Sequence, residues 1–268
     1  FGSGGNWQAL VPFVFGAAAV ELYLTDESNF HQVTSIKPVN GNGFFTDFEA
    51  LQPDSAYLLI SHQKLMSAAS NYASYKAGNG MDVVLIDVDE LYDQYAAGIR
   101  KHPLAIRRFC DHVLNTWTSR PSHLFIVGKS IHEMDISASP GARNSEELYA
   151  RNLIPTWGWP TTDLAFTSGL YGTVLEAAIP TGRLAAETPE QVSEYLNKVV
   201  EHDAQVPAEW MKQVMHFGGG GTQYEQTLFG NYLRGYEVIV EDTCFGGNVH
   251  SFYKSTTDPI QMNLSDSI

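Results

Sequence analysis

Three stretches of mainly apolar residues punctuate the middle of the chain: Ala56-Tyr57-Leu58-Leu59-Ile60, Met81-Asp82-Val83-Val84-Leu85-Ile86 and His123-Leu124-Phe125-Ile126-Val127-Gly128. A strand without polar alternation is one buried on both faces, which predicts a parallel sheet covered by helices on each side. The segments between them read as helices. Met66 to Ala77 is helical in composition and is ended by Gly78-Asn79-Gly80, suited to a left-handed cap. Ile106, Phe109, Cys110, Val113, Leu114 and Trp117 fall at i, i+3, i+4, i+7, i+8 and i+11, an amphipathic helix that Pro121 stops. Strand, helix, strand, helix, strand implies right-handed crossovers within one parallel sheet.

Residues 129–172 show no long period and hold the loop Ile154-Pro155-Thr156-Trp157-Gly158-Trp159-Pro160-Thr161-Thr162-Asp163. A fourth apolar stretch, Val174 to Ile179, leads into Pro180-Thr181-Gly182-Arg183-Leu184. Thr188-Pro189-Glu190-Gln191 then opens a helix, with Thr188 as N-cap, Pro189 at the first helical position and Gln191 closing a capping box. A second α/β unit is expected from Trp210 to Phe217, followed by Gly218-Gly219-Gly220-Gly221, a helix to Arg234 and a strand Tyr236-Glu237-Val238-Ile239-Val240. The first 55 residues read as β-structure instead. Val20 to Leu24 alternates apolar and polar residues, a further extended stretch follows around Gln32–Ile36, and Gln52-Pro53-Asp54-Ser55 marks a boundary. The expected organisation is the tail of a β-sandwich over 1–55, a first α/β subdomain over 56–207 and the start of a second over 208–268. Both ends fall inside a structural unit, so the chain is expected to be a piece of a longer protein.

Composition narrows the partners. Sixteen Lys and Arg stand against 30 Asp and Glu, a net charge of −14, and no basic run is present, which disfavours nucleic acid. The longest uncharged apolar stretch, Ala9 to Val20, contains Pro12 and Gly16 and is too short to span a bilayer. Position 1 is Phe, and any signal peptide is expected to be absent or removed. Two cysteines exclude a disulfide-rich scaffold and a cysteine zinc cluster. Low charge and abundant Gly, Tyr and Asn lean towards a secreted or surface protein of a bacterium.

Candidate chemistry is sparse. Cys244, placed just past the expected strand, would occupy the rim where α/β sheets hold ligands, with His216 and His250 as conceivable bases. Against this, its acidic neighbours Glu241 and Asp242 would raise the pKa of a thiol, and a small residue in a Gly-rich loop is the plainer reading. Cys110 lies on an apolar helix face and belongs to the core. No histidine has metal-ligand spacing, so no metal and no cofactor are expected. Asp87-Val88-Asp89-Glu90 lacks the glycine and terminal Glu of an EF-hand and reads as a solvated acidic loop. The four-glycine run has neither Walker nor Rossmann spacing and is better suited to close backbone approach. No Gly-x-Ser-x-Gly elbow is present.

The order of several motifs resembles the gingipain-type cysteine peptidases, family C25, and within it the sortase-type signal peptidases of the type IX secretion system. The strand Leu58-Leu59-Ile60 with its following helix is similar to the family's opening βα unit. His123 to Gly128 resembles its apolar strand, with Lys129 where an Asp is common. Ile154-Pro155-Thr156 with Asp163 is similar to its Pro-Thr loop, and Ile179-Pro180-Thr181-Gly182-Arg183-Leu184 to its Ile-Gly-Arg-Leu element with an insertion. The helix to Val200 and Trp210 continue the match, and residues 1–55 resemble the end of the β-sandwich that precedes the module. The resemblance implies an α/β, caspase-like (gingipain-like) parallel-sheet module in two subdomains, preceded by the end of a β-sandwich. It further implies a Cys–His dyad that cuts C-terminal sorting domains from cargo. In the family the histidine lies in a Gly-His-Gly element on the strand after the one expected to end near Val240, and the cysteine lies further on. Neither Cys244 nor His250 aligns with them, and an acidic residue that supports the dyad would fall near Gly221. No catalytic residue is therefore expected within the chain, which alone should be incompetent. Trp157, Asp163, Gly219, Gly220 and Gly221 are the substrate-groove candidates, with Trp159 beside Trp157 and with Arg183 as a structural ion-pair partner near the subdomain boundary. The implied partners are protein cargo or secretion-system components, an outer-membrane protein among the candidates. The implied location is secreted or at the outer-membrane-associated cell surface. The alternative is a non-catalytic peptidase-like scaffold or cargo-docking module.

Overall fold

The computed structural model describes residues 36, 38–132, 145–158 and 160–255. The expected strand at Val20–Leu24, the stretch around Gln32–Ile36 up to its last residue, and Trp159 lie outside them. Four strands form one parallel sheet: β1 (Tyr57–Ser61), β2 (Val83–Asp87), β3 (His123–Val127) and β4 (Thr181–Leu184), in the order β2-β1-β3-β4. β1 pairs with β2 from Tyr57↔Val83 to Ser61↔Asp87 and with β3 from Tyr57↔His123 to Ser61↔Val127. All five residues of β1 are buried, which its unbroken apolar run requires of a central strand.

Helices fill both faces. A short helix α1 (Phe48–Leu51) precedes β1. α2 (Met66–Gly78) joins β1 to β2, and α3 (Val88–Tyr95) with α4 (Leu104–Thr116) joins β2 to β3. A short α5 (Glu146–Arg151) lies in the β3–β4 connection, and α6 (Pro189–Asp203) follows β4 and packs on α2. The α6 N-terminus has the capping box its sequence predicts: Thr188 accepts from the Gln191 N–H and the Gln191 side chain accepts from the Thr188 N–H. The predicted stripe of α4 is enclosed, with Ile106, Phe109, Cys110 and Val113 fully buried. The Asp87-Val88-Asp89-Glu90 segment is not a solvated loop. Asp87 caps α3 by accepting from the Asp89 N–H at 3.0 Å, and Glu90 is buried at 6% exposure.

The second unit consists of β5 (Gln213–Gly218), α7 (Gln223–Glu241) and β6 (Asn248–Tyr253), with β5 and β6 parallel. Here the sequence reading needs a correction. Tyr236 to Val240 is not a strand but the last part of α7, and the strand lies later. Its β-favouring residues yield to the helical period: Gln226, Gly230, Leu233, Glu237 and Val240 keep one inward face, while Val238 and Ile239 point to solvent at 73% and 68% exposure. No helix among the described residues is long and apolar enough to cross a membrane.

Candidate functional site

The ends of β3 and β4 meet around one guanidinium. Arg183, on β4, donates from Nε and Nη2 to the two carboxylate oxygens of Asp163 at 2.7 and 2.8 Å. Its Nη1 donates to the carbonyls of Gly128 at 2.6 Å and Ile154 at 2.9 Å, and Nη2 also to Pro155 at 3.1 Å. A guanidinium has five N–H donors, and here five contacts use them. The side chain is 9% exposed, so Arg183 ties the β3 end, the 154–163 loop and β4 together and offers nothing to a ligand. Trp157 folds into the same loop. Its backbone exchanges hydrogen bonds with Thr162 at 3.1 and 2.8 Å, and its side chain packs half-buried against the core.

The glycine candidates lie on the other unit, between β5 and α7. Gly220 has φ +141°, and a Cβ there would stand 2.8 Å from the Gln226 nitrogen, so only glycine fits. Gly219 faces open space. The N–H groups of Gly221 and Thr222 both donate to Glu225 Oε2, at 2.9 and 3.1 Å. The cradle that could have taken a phosphate is thus partly filled by the chain's own carboxylate, within the capping box that opens α7. No hydrogen bond or ion pair links Trp157 or Asp163 to the three glycines among the described residues.

Among the described residues neither cysteine is paired with a histidine in a dyad. Cys110 is enclosed in α4, where burial pushes its thiol up to about 12. Cys244 is exposed in the turn between α7 and β6, with its N–H donating to Asp242 Oδ1 at 3.3 Å. It follows a helix rather than a strand, so it sits at the amino end of β6, opposite to the rim where parallel sheets place ligands. His250 is engaged with Gln213 Oε1 at 3.0 Å, and His216 Nδ1 is enclosed without a hydrogen-bond partner. No hydrogen bond joins either thiol to a histidine among the described residues.

The sequence profile of peptidase family C25 matches residues 50–265. The chain belongs to peptidase family C25. Two solved structures are similar to it. One, described as "Structure of Protease", is 16% identical with a TM-score of 0.49, over 81% of this chain and 42% of that one. The other is the crystal structure of dimeric latent PorU from Porphyromonas gingivalis, 15% identical with a TM-score of 0.46, over 64% of this chain and 20% of that one. The chain therefore spans less than half the length of either. No curated protein sequence matches it.

Within this C25 chain the carboxyl rim of the first sheet holds a titrating group, Asp87, that the sequence places in a solvated acidic loop. Burial raises the Asp87 carboxyl above its ordinary 3.8, while hydrogen bonds from Gln63 and from the Asp89 N–H pull it down. A raised native value means the folded state holds the proton more tightly than the unfolded chain does. That contribution is fully present below 3.8 and is lost as pH rises through the raised value. Asp87→Asn keeps a good cap acceptor. The variant is expected to gain stability relative to the parent between about pH 3 and about pH 7. Urea unfolding at both values reads the difference, and a gap that does not change with pH refutes the assignment.

Proposed function

We propose that this chain is part of a C25 cysteine endopeptidase of the sortase type, whose Cys–His dyad lies beyond residue 268. The parent would cut C-terminal sorting domains from cargo of a type IX secretion system, at the bacterial cell surface. The observation that carries this reading is the family match over residues 50–265. Support comes from the second unit. The face of β5 and β6 turned away from α7 exposes Met215, Phe217 and Phe252, and parallel sheets are stable when both faces are covered. A complete peptidase domain would supply those layers together with the nucleophile. There the thiolate attacks the scissile carbonyl, the imidazole moves the proton, and backbone N–H groups hold the oxyanion.

A second reading is a non-catalytic docking module. What favours it is that no hydrogen bond joins either cysteine of the sequence to a histidine among the described residues. Intact mass and thiol-sensitive cleavage of a sorting-domain peptide, measured on the protein purified from its source, separate the two. A mass well above 29.6 kDa with activity abolished by a thiol alkylator supports the peptidase. A mass of 29.6 kDa without cleavage leaves the docking module.

A further inference from the structure

The segment ahead of β1 is fastened to the α/β module by the buried carboxylate of Glu90. Glu90, in the first turn of α3, accepts from Asn40 Nδ2 at 2.9 Å, the Thr46 N–H at 2.5 Å, Thr46 Oγ1 at 3.1 Å and Gln94 Nε2 at 3.2 Å. The same Gln94 amide donates to the Thr46 carbonyl at 3.1 Å. No Lys, Arg or His pairs with Glu90 among the described residues. A buried carboxylate is tolerated only when its lone pairs are met, and here most of the donors come from residues 44 and 50 positions earlier in the chain.

A second anchor lies two residues past Thr46, at the start of α1. Phe48 is 3% exposed, with its ring edge-on to Phe109 at 4.9 Å, and its carbonyl accepts from Trp117 Nε1 at 2.6 Å. A third follows at Gln52, which donates to the Thr116 carbonyl at 3.2 Å and accepts from the Thr118 N–H at 2.9 Å. Three contacts of different chemistry thus span 13 residues and grip both α3 and α4.

We propose that residues 40–52 are a clasp, closed by the Glu90 carboxylate, that fixes the segment ahead of β1 to α3 and α4. The two then move as one body, and the clasp can be opened without unfolding the sheet. Glu90 sits three residues after Asp87, so the clasp also holds the α3 turn that borders the carboxyl rim of the first sheet.

Hydrogen exchange on the whole chain tests this, in the parent and in Glu90→Ala, Glu90→Gln and the exposed control Glu49→Ala. In the parent, amides of 44–52 are expected to be protected. Glu90→Ala should speed their exchange at least about tenfold while β1 and β3 keep their protection. Glu90→Gln should loosen them as well, because its amide nitrogen meets donors, and Glu49→Ala should leave them unchanged. Free exchange of 44–52 in the parent overturns the proposal. So does a parallel loss of protection in clasp and sheet on Glu90→Ala.

Discussion

Replacing Arg183 with methionine is expected to destabilise the first sheet by about 3–5 kcal/mol, the cost of leaving a partly buried charge without its partner. The change strands the Asp163 carboxylate and the Gly128, Ile154 and Pro155 carbonyls together. Arg183→Lys should recover little of this. An ammonium has three donors and no planar fork, so it cannot meet both Asp163 oxygens and three carbonyls on different sides. Asp163→Asn should cost less than Arg183→Met, because the guanidinium keeps its three carbonyl acceptors. Urea unfolding of the three variants gives the order directly. A loss below about 1 kcal/mol for Arg183→Met would show that water replaces the guanidinium easily and that the knot is not buried in solution.

Phe109→Ala should cost a similar amount, about 3–5 kcal/mol, by removing transfer free energy and leaving a cavity. Its ring is fully buried and sits between Phe48 at 4.9 Å and Tyr95 at 5.7 Å, both close to edge-on. These rings come from three elements, so none can collapse into the space without pulling its own element along. Phe217→Ala provides the contrast. That ring is stacked on Phe252 at 5.3 Å but 46% exposed, and its removal should cost under about 1 kcal/mol. Thermal unfolding of both variants measures the difference, and equal losses would mean that the β5–β6 face is covered in solution.

Three strands of the first sheet were legible because burial leaves a continuous apolar run, whereas β4, Thr181–Leu184, lies just past the apolar stretch Val174 to Ile179 and carries no such run. Leu58-Leu59-Ile60 and Leu124 to Val127 carry no alternation to misread, and α4 between them shows the 3.6 period in its buried stripe Ile106, Phe109, Cys110, Val113 and Leu114. The second unit was harder to read for a physical reason. With one face open, β6 alternates Asn248, His250 and Phe252 outward with Val249, Ser251 and Tyr253 inward, so no apolar run announces it. The run Tyr236 to Val240 announces a strand that does not exist, because two of its apolar residues spend their hydrophobicity on solvent. Glu90 went unread for a different reason. An acidic residue in Asp-Val-Asp-Glu looks solvated until the chain brings Asn40 and Thr46 back against it. The resemblance marked Arg183 as a structural ion-pair partner, but that Asp163 is the group it pairs with was not legible, since nothing local links a loop aspartate to an arginine 20 residues on.

The two thiols differ in a way that makes the protein convenient to observe. Cys110 is sealed within α4 and its thiolate is suppressed at neutral pH, whereas Cys244 stands exposed at the α7–β6 turn. Within these 268 residues a maleimide dye or spin label therefore attaches at one place, Cys244. That place lies on the second unit, away from the Arg183 knot, so its tumbling and its distance to a probe on the first sheet report how the two units are joined.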